Sequence, residues 1–356
     1  MDIHGFLSYK DGVLIVPAKI PRIMKRQVME GESWNFIDHV KDTLIGYTNG
    51  SLYQSGTYGK IYKAKRLVLG RNSDDTYTII QGPEELIIKR VYPETSNTIS
   101  ELEIDSHVSE ALIHVLCWKT MQETGAKWAI PRPYELFCDY QKDICQTLSL
   151  GMSFVEGTIL HNFIRKEFSM YKVHANSRLF REILGQVAYI LYHLQKRLSL
   201  NHRDLKANNV IVRPSQHPFV LELEGSKMNT MTEITIIDFG FACQGDCSGT
   251  LFQAGSWFPY TDICFKKGRD LAQLIFYIHY FFPLDRYLSP NLYKIIKSLM
   301  QVQWAGGTVN ILDGFTKEGI PCFSNEYHTG IYEFLRREEV DPVGCEPLAV
   351  FKMLSW

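Results

Sequence analysis

Apolar residues recur at two different spacings along this chain, and the switches between them divide it into elements. Alternation rich in β-branched and aromatic residues marks 51–68 as a hairpin with Gly56 and Gly59 at its tip, and 85–91 as a buried strand carrying Lys89. Spacings of three and four predict helices over 100–121, 179–200 and 268–282. Residues 128–140 and 144–155 read as strands that lead through a linker into a helix, and 234–237 as a short buried strand. Gly, Asn and Asp between 70 and 83 predict a long hairpin loop, and 213–233 reads as an exposed insertion with a strand at 220–223. Upstream, Trp34, Ile37, Val40, Leu44 and Ile45 stand near helical spacing and predict an amphipathic helix. The C-terminal remainder reads as helices and loops. No internal repeat or low-complexity tract interrupts the pattern.

With 356 residues the chain is long enough for one sizeable core or two lobes. Its net charge of −1 gives no general attraction to nucleic acid or to an anionic membrane, so neither is expected as a partner and any basic patch has to be local. No apolar run reaches the length of a membrane span, and the N-terminus lacks a basic region followed by an apolar core. A cytoplasmic, reducing compartment is the expectation. The eight cysteines are scattered and read as free thiols, including the one local cluster, Cys243 and Cys247.

The chemistry concentrates in two places. His202-Arg203-Asp204-Leu205-Lys206 followed by Asn209 has the spacing H-R-D-L-x-x-x-N, in which a carboxylate accepts a substrate proton and an amide holds a metal ion. Lys206, between them, can neutralise charge on a transferring phosphoryl group. Asp238-Phe239-Gly240 then ends the 234–237 strand. A carboxylate at a strand end suits Mg²⁺ bridging two phosphates, and Gly240 permits an abrupt turn. Lys89, among apolar residues, needs a partner for its ammonium. Glu110 is the expected one, with Glu103 second. Asp270 opens the apolar 268–282 helix.

On these residues the chain resembles the eukaryotic-type protein kinases, and Lys206 favours their serine/threonine branch. The motifs at 202–212, 236–243 and 268–281 also resemble kinases encoded by large DNA viruses of protists and algae, for which the compartment would be the host cytoplasm. The resemblance spans roughly residues 52–282. It implies an α+β, two-lobed fold: an N-terminal extension over 1–45, a small β-rich lobe over 46–152, a hinge over 153–157 and a mainly helical lobe over 158–356. It implies ATP and Mg²⁺ as cofactors and a protein bearing Ser or Thr as the acceptor. Asp204, Lys206, Lys89 and Glu110 become the catalytic residues, and Asn209 and Asp238 the metal ligands. Gly56, Gly59, Ile61, Ile87, Lys89, Met152, Ser153, Val155 and Ile211 become nucleotide contacts. Asp270 matches the family's anchor of the catalytic loop, and Arg203 is placed to pair with a phosphate on the segment carrying Ser248, Thr250 and Ser256.

The sequence departs from the family at two points. Gln54 stands where the first glycine of the phosphate hairpin belongs, and the Ala-Pro-Glu ending of the activation segment is represented only by Phe258-Pro259-Tyr260. The second departure keeps open a small-molecule kinase of similar fold. A nucleotide-binding pseudokinase acting as an interaction module is the other alternative, although Lys89, Asp204 and Asp238 are all present.

Overall fold

A computed structural model describes residues 8–10, 13–15, 25–26, 36–40, 43–56, 59–71, 73, 77–91, 101–141, 144–246, 249–253, 265–304, 307–313 and 327–355. The architecture is mixed α and β. The chain divides into two compact units, one made of residues 1–115 with 131–154, the other of 116–130 with 155–356.

The first unit contains β1 (Ser8–Lys10), β2 (Val13–Ile15), β3 (Lys25–Arg26), β4 (Phe36–Val40), β5 (Thr43–Gly56), β6 (Gly59–Arg71), β7 (Tyr77–Val91), the start of helix α1 (Glu101–Glu123), β8 (Pro133–Gln141) and β9 (Ile144–Ser153). Seven of these strands form one sheet in the order β3-β8-β9-β7-β6-β5-β4. All neighbours are antiparallel except β3 and β8. Alternation along β7 sends Leu86, Ile88 and Arg90 into the interior and leaves Ile87 and Lys89 half-buried on the opposite face.

Two expectations fail in this unit. Residues 36–40 and 43–56 form the antiparallel pair β4 and β5, with Phe36 opposite Tyr47 and Val40 opposite Thr43, across the region where an amphipathic helix was expected. Ile37, Val40, Thr43 and Ile45 are β-branched, and β5 finds a second ladder in β6, so sheet pairing overrides a spacing that only approximates a helix. The loop expected over 70–83 is also shorter, because β6 runs to Arg71 and β7 begins at Tyr77. The run from Tyr77 to Ile80 is strand-forming sequence, and it extends the hairpin.

The second unit contains β10 (Thr158–Ile159), α2 (Leu160–Glu167), α3 (Val173–Leu198), β11 (Leu200–Asn201), β12 (Val210–Leu223), β13 (Ser226–Ile236), β14 (Cys243–Asp246), β15 (Gly249–Gln253), α4 (Arg269–Phe281), α5 (Leu284–Tyr287), α6 (Pro290–Leu299), β16 (Gln301–Trp304), β17 (Gly307–Asn310), α7 (Tyr327–Leu335) and α8 (Pro347–Leu354). Its core is built on α3 and α4; every residue of α4 from Arg269 to Ile278 is buried. The expected insertion at 213–233 is instead the body of the β12–β13 hairpin. Leu221, Leu223, Met228 and Thr230 on one face of that hairpin are buried, and Gln186 of α3 donates to Thr230 Oγ1 (2.8 Å) and Thr232 Oγ1 (3.0 Å). The alternating Leu-Glu-Leu of 221–223 is the sequence trace of that face. The C-terminal part also holds the hairpin β16–β17, where only helices and loops were expected. Among the described residues, no helix is long and apolar enough to cross a membrane.

Two glycines show how tightly this unit is packed. A Cβ on Gly268, at the start of α4, would lie 1.9 Å from the Pro342 carbonyl oxygen, which is backbone and cannot swing away. One on Gly185 would meet only the flexible end of Met228, at 2.1 Å. Gly268→Ala is therefore expected to cost about 2–3 kcal/mol in urea unfolding. Gly185→Ala, inside α3 where alanine is the better helix former, is expected to cost clearly less.

Candidate active site

The turn between β11 and β12 carries the polar residues singled out by spacing. Its backbone is fixed from α4. The Asp270 carboxylate, fully buried, accepts hydrogen bonds from the backbone N–H of His202 (3.0 Å) and Arg203 (2.9 Å) and from Asn201 Nδ2 (3.0 Å). Arg203 adopts a left-handed φ of 64°, which a residue with a Cβ holds only when its surroundings impose it. The same turn then presents Asp204. Lys206 Nζ reaches both oxygens of that carboxylate (2.8 Å and 3.1 Å), and Asn209 Nδ2 donates to the Asp204 backbone carbonyl (2.8 Å) and to Oδ2 (3.1 Å). Burial and the negative charge of Asp204 both raise the pKa of the Tyr277 phenol on α4. Tyr277 sits in an apolar run, and nothing in the sequence pattern marks it.

The second motif is stitched to the first. β12 and β13 pair with Val210 opposite Ile236, and Ile237 N–H donates to the Asn209 carbonyl (3.0 Å). His202 Nε2 donates to the Ile237 carbonyl (3.0 Å), and its ring lies 5.1 Å from that of buried Phe239. Asp238 thus follows directly on a residue paired with Asn209. The left-handed residue of this turn is Asp238 itself (φ 66°), where Gly240 was expected to supply the conformational freedom.

Arg203 does not stand ready for a phosphate. It is completely buried, and its Nε donates to the Phe241 carbonyl (2.6 Å). Cys243 is likewise not a free thiol: it is buried and disulfide-bonded. Ser248, Ser256 and the 258–260 stretch lie outside the described residues.

The first unit holds the other group of residues. Lys89 Nζ lies 2.6 Å from Glu110 Oε1, so the expected pair forms, and Glu103 lies about two turns earlier on α1. His107 Nδ1 adds a contact at 3.5 Å to the other Glu110 oxygen, a partner the sequence reading missed although it stands one turn away. Burial opposes the Glu110 charge, but the Lys89 ammonium and His107 outweigh it and hold the carboxyl down at about 2. Strand register brings together several more of the residues named from the sequence. Gly56 faces Gly59 at the hairpin tip, Ile61 faces Lys89, Ile87 faces Met152, and Leu86 faces Ser153. Gly59 is pressed against the chain, since a Cβ there would lie 2.3 Å from the Arg90 carbonyl oxygen. Val155 and Ile211 belong to the second unit, where Ile211 pairs with Ile159 of β10.

No protein-family model matches this chain, and no curated protein is significantly similar to it.

The Lys89–Glu110 pair has a testable pH signature. The unfolded chain protonates Glu110 near the ordinary 4.5, whereas the folded one resists until about 2. The pair's contribution is therefore complete above the ordinary value and is lost as the pH falls toward the folded one. Lys89→Met is expected to be less stable than wild type near neutral pH by urea unfolding, with the gap closing across that acid window.

Proposed function

We propose that the chain is an ATP-dependent kinase of the two-lobed protein-kinase type, transferring the γ-phosphoryl group to Ser or Thr hydroxyls of proteins. In this reading the first unit is the β-rich lobe and the second the helical lobe. The observation that carries it is the setting of Asp204: a carboxylate on a backbone anchored by Asp270 and held by Lys206 and by Asn209, whose own carbonyl pairs with Ile237, the residue before Asp238. General-base phosphoryl transfer calls for that arrangement, because the reaction is catalysed mainly by positioning and charge.

The residues present fit Mg²⁺-ATP. Asn209 Nδ2 is committed to Asp204, so the ligand it can offer is Oδ1, with the Asp238 carboxylate as the second protein ligand in this reading. Among the described residues no three His, Cys, Asp or Glu side chains gather as a metal cage. One carboxylate and one amide, completed by phosphate oxygens and water, is the habit of Mg²⁺. When bound, Mg²⁺-ATP supplies the transferable phosphoryl group. Asp204 takes the proton of the acceptor hydroxyl, and Lys206 balances charge beside it. Lys89, oriented by Glu110, offers its ammonium to phosphate oxygens. Gly56 and Gly59 let hairpin N–H groups approach closely, and the kinase resemblance assigns Ile61, Ile87, Met152, Ser153, Val155 and Ile211 as nucleotide contacts. With Arg203 buried and bonded to the Phe241 carbonyl, this reading requires no phosphate on the following segment. The replaced Ala-Pro-Glu ending favours a small-molecule acceptor as the second reading.

The two aspartates separate an enzyme from a nucleotide-binding module. Asp238→Asn is expected to weaken Mg²⁺-dependent ATP binding and turnover together. Asp204→Asn is expected to leave calorimetric ATP binding nearly intact while slowing single-turnover transfer by about 10²–10⁴-fold, the scale of a lost general base. Unchanged transfer in Asp204→Asn would remove the catalytic assignment.

A further inference from the structure

Between α2 and α3 the chain makes a tight turn in which Lys172 N–H returns to the Ser169 carbonyl (2.9 Å). The two corner residues are Met170 and Tyr171, 54% and 96% exposed. Turn corners are normally filled by Gly, Pro, Asn, Asp or Ser, because those residues relieve backbone strain or bond locally. Two large apolar side chains exposed to this degree contribute little to folding. The turn is nevertheless held rigidly. Asn176, only 2% exposed, donates through Nδ2 to the Ser169 carbonyl (2.7 Å) and to the Tyr287 carbonyl (2.9 Å), and Ser289 N–H donates to Ser177 Oγ (2.8 Å). Phe168, just before the turn, is buried.

Charge flanks this tip. Arg165, Lys166, Lys172 and Arg178 are all exposed, and between residues 160 and 178 the one acid is Glu167, 3.5 Å from Lys166. The adjoining α5 presents Asp285 and Arg286, which cancel. On a chain of net charge −1, this is a local concentration of positive charge around an apolar point.

We propose that this turn docks the protein on an anionic lipid surface, with Met170 and Tyr171 entering the headgroup region and the flanking cations meeting lipid phosphates. Tyrosine is suited to that interface, since its ring is apolar and its hydroxyl polar. A rigid turn loses little conformational freedom on docking. A protein partner is the poorer fit, because a stable interface buries about 800 Å² per side and this tip offers two side chains. The proposal is independent of the kinase reading.

Co-sedimentation of the full chain with phosphatidylcholine vesicles, and with vesicles rich in phosphatidylserine, tests it at low and high salt. Wild type is expected to bind only the anionic vesicles and to be released by salt. Each cation near the surface is worth about five-fold, so Lys166→Gln/Lys172→Gln is expected to weaken binding roughly thirty-fold. Met170→Asp/Tyr171→Asp is expected to abolish it, with thermal melting unchanged for both variants because all four side chains are exposed. Absence of wild-type binding, binding indifferent to both double variants, or tip-dependent binding to poly-glutamate without vesicle binding would each overturn the proposal.

Discussion

The second unit turns on one buried carboxylate. Asp270 sits at the start of a helix with no exposed surface, and it spends its oxygens on two backbone N–H groups and one side-chain amide of the 201–203 stretch. A buried charge is tolerated only when its hydrogen-bonding capacity is filled, so the stretch and the helix fix each other. The left-handed Arg203 follows from that grip, and Asp204 is delivered to its neighbours by it. The ladder from Val210 and Ile236 then carries the geometry across to the residues before Asp238. Buried His202 closes the loop between the two turns.

The first unit solves a different electrostatic problem. Lys89 lies on a strand between apolar neighbours, and Glu110 is buried on a helix, so each would be costly alone. Together, with His107 on the second oxygen, they keep a charged pair that neither could keep separately. The residues counted from sequence as an N-terminal extension contribute to the same sheet. β3 and β4 form its two edges, and β5 begins before residue 46.

Much of the candidate site was legible in sequence because its residues lie in short contiguous motifs with fixed spacing. The stretch from His202 to Asn209, the strand leading to Asp238 and the helix start carrying Asp270 are of this kind, whereas Glu110 came from helical periodicity. Regular three-and-four periodicity located α1, α3 and α4, but a spacing only near helical misled over 34–45. Ile37, Val40, Leu44 and Ile45 match a helix nearly as well as a strand, and pairing of β5 with β6 decides for the strand, while Trp34 lies outside the described residues. The 213–233 segment was read as an exposed insertion because it is longer than a tight hairpin, yet the face that packs on α3 carries threonines that bury and accept hydrogen bonds from Gln186. Tyr277 and His107 gain their significance from what folding brings beside them.

The most direct measurement is transfer of label from γ-labelled ATP by the purified chain with Mg²⁺, offered a mixture of generic proteins and small alcohols, with phosphoamino-acid analysis of the products. The account predicts label on serine and threonine of protein, dependent on Mg²⁺. Label confined to small molecules, or no ATP-dependent label in any acceptor, would contradict it.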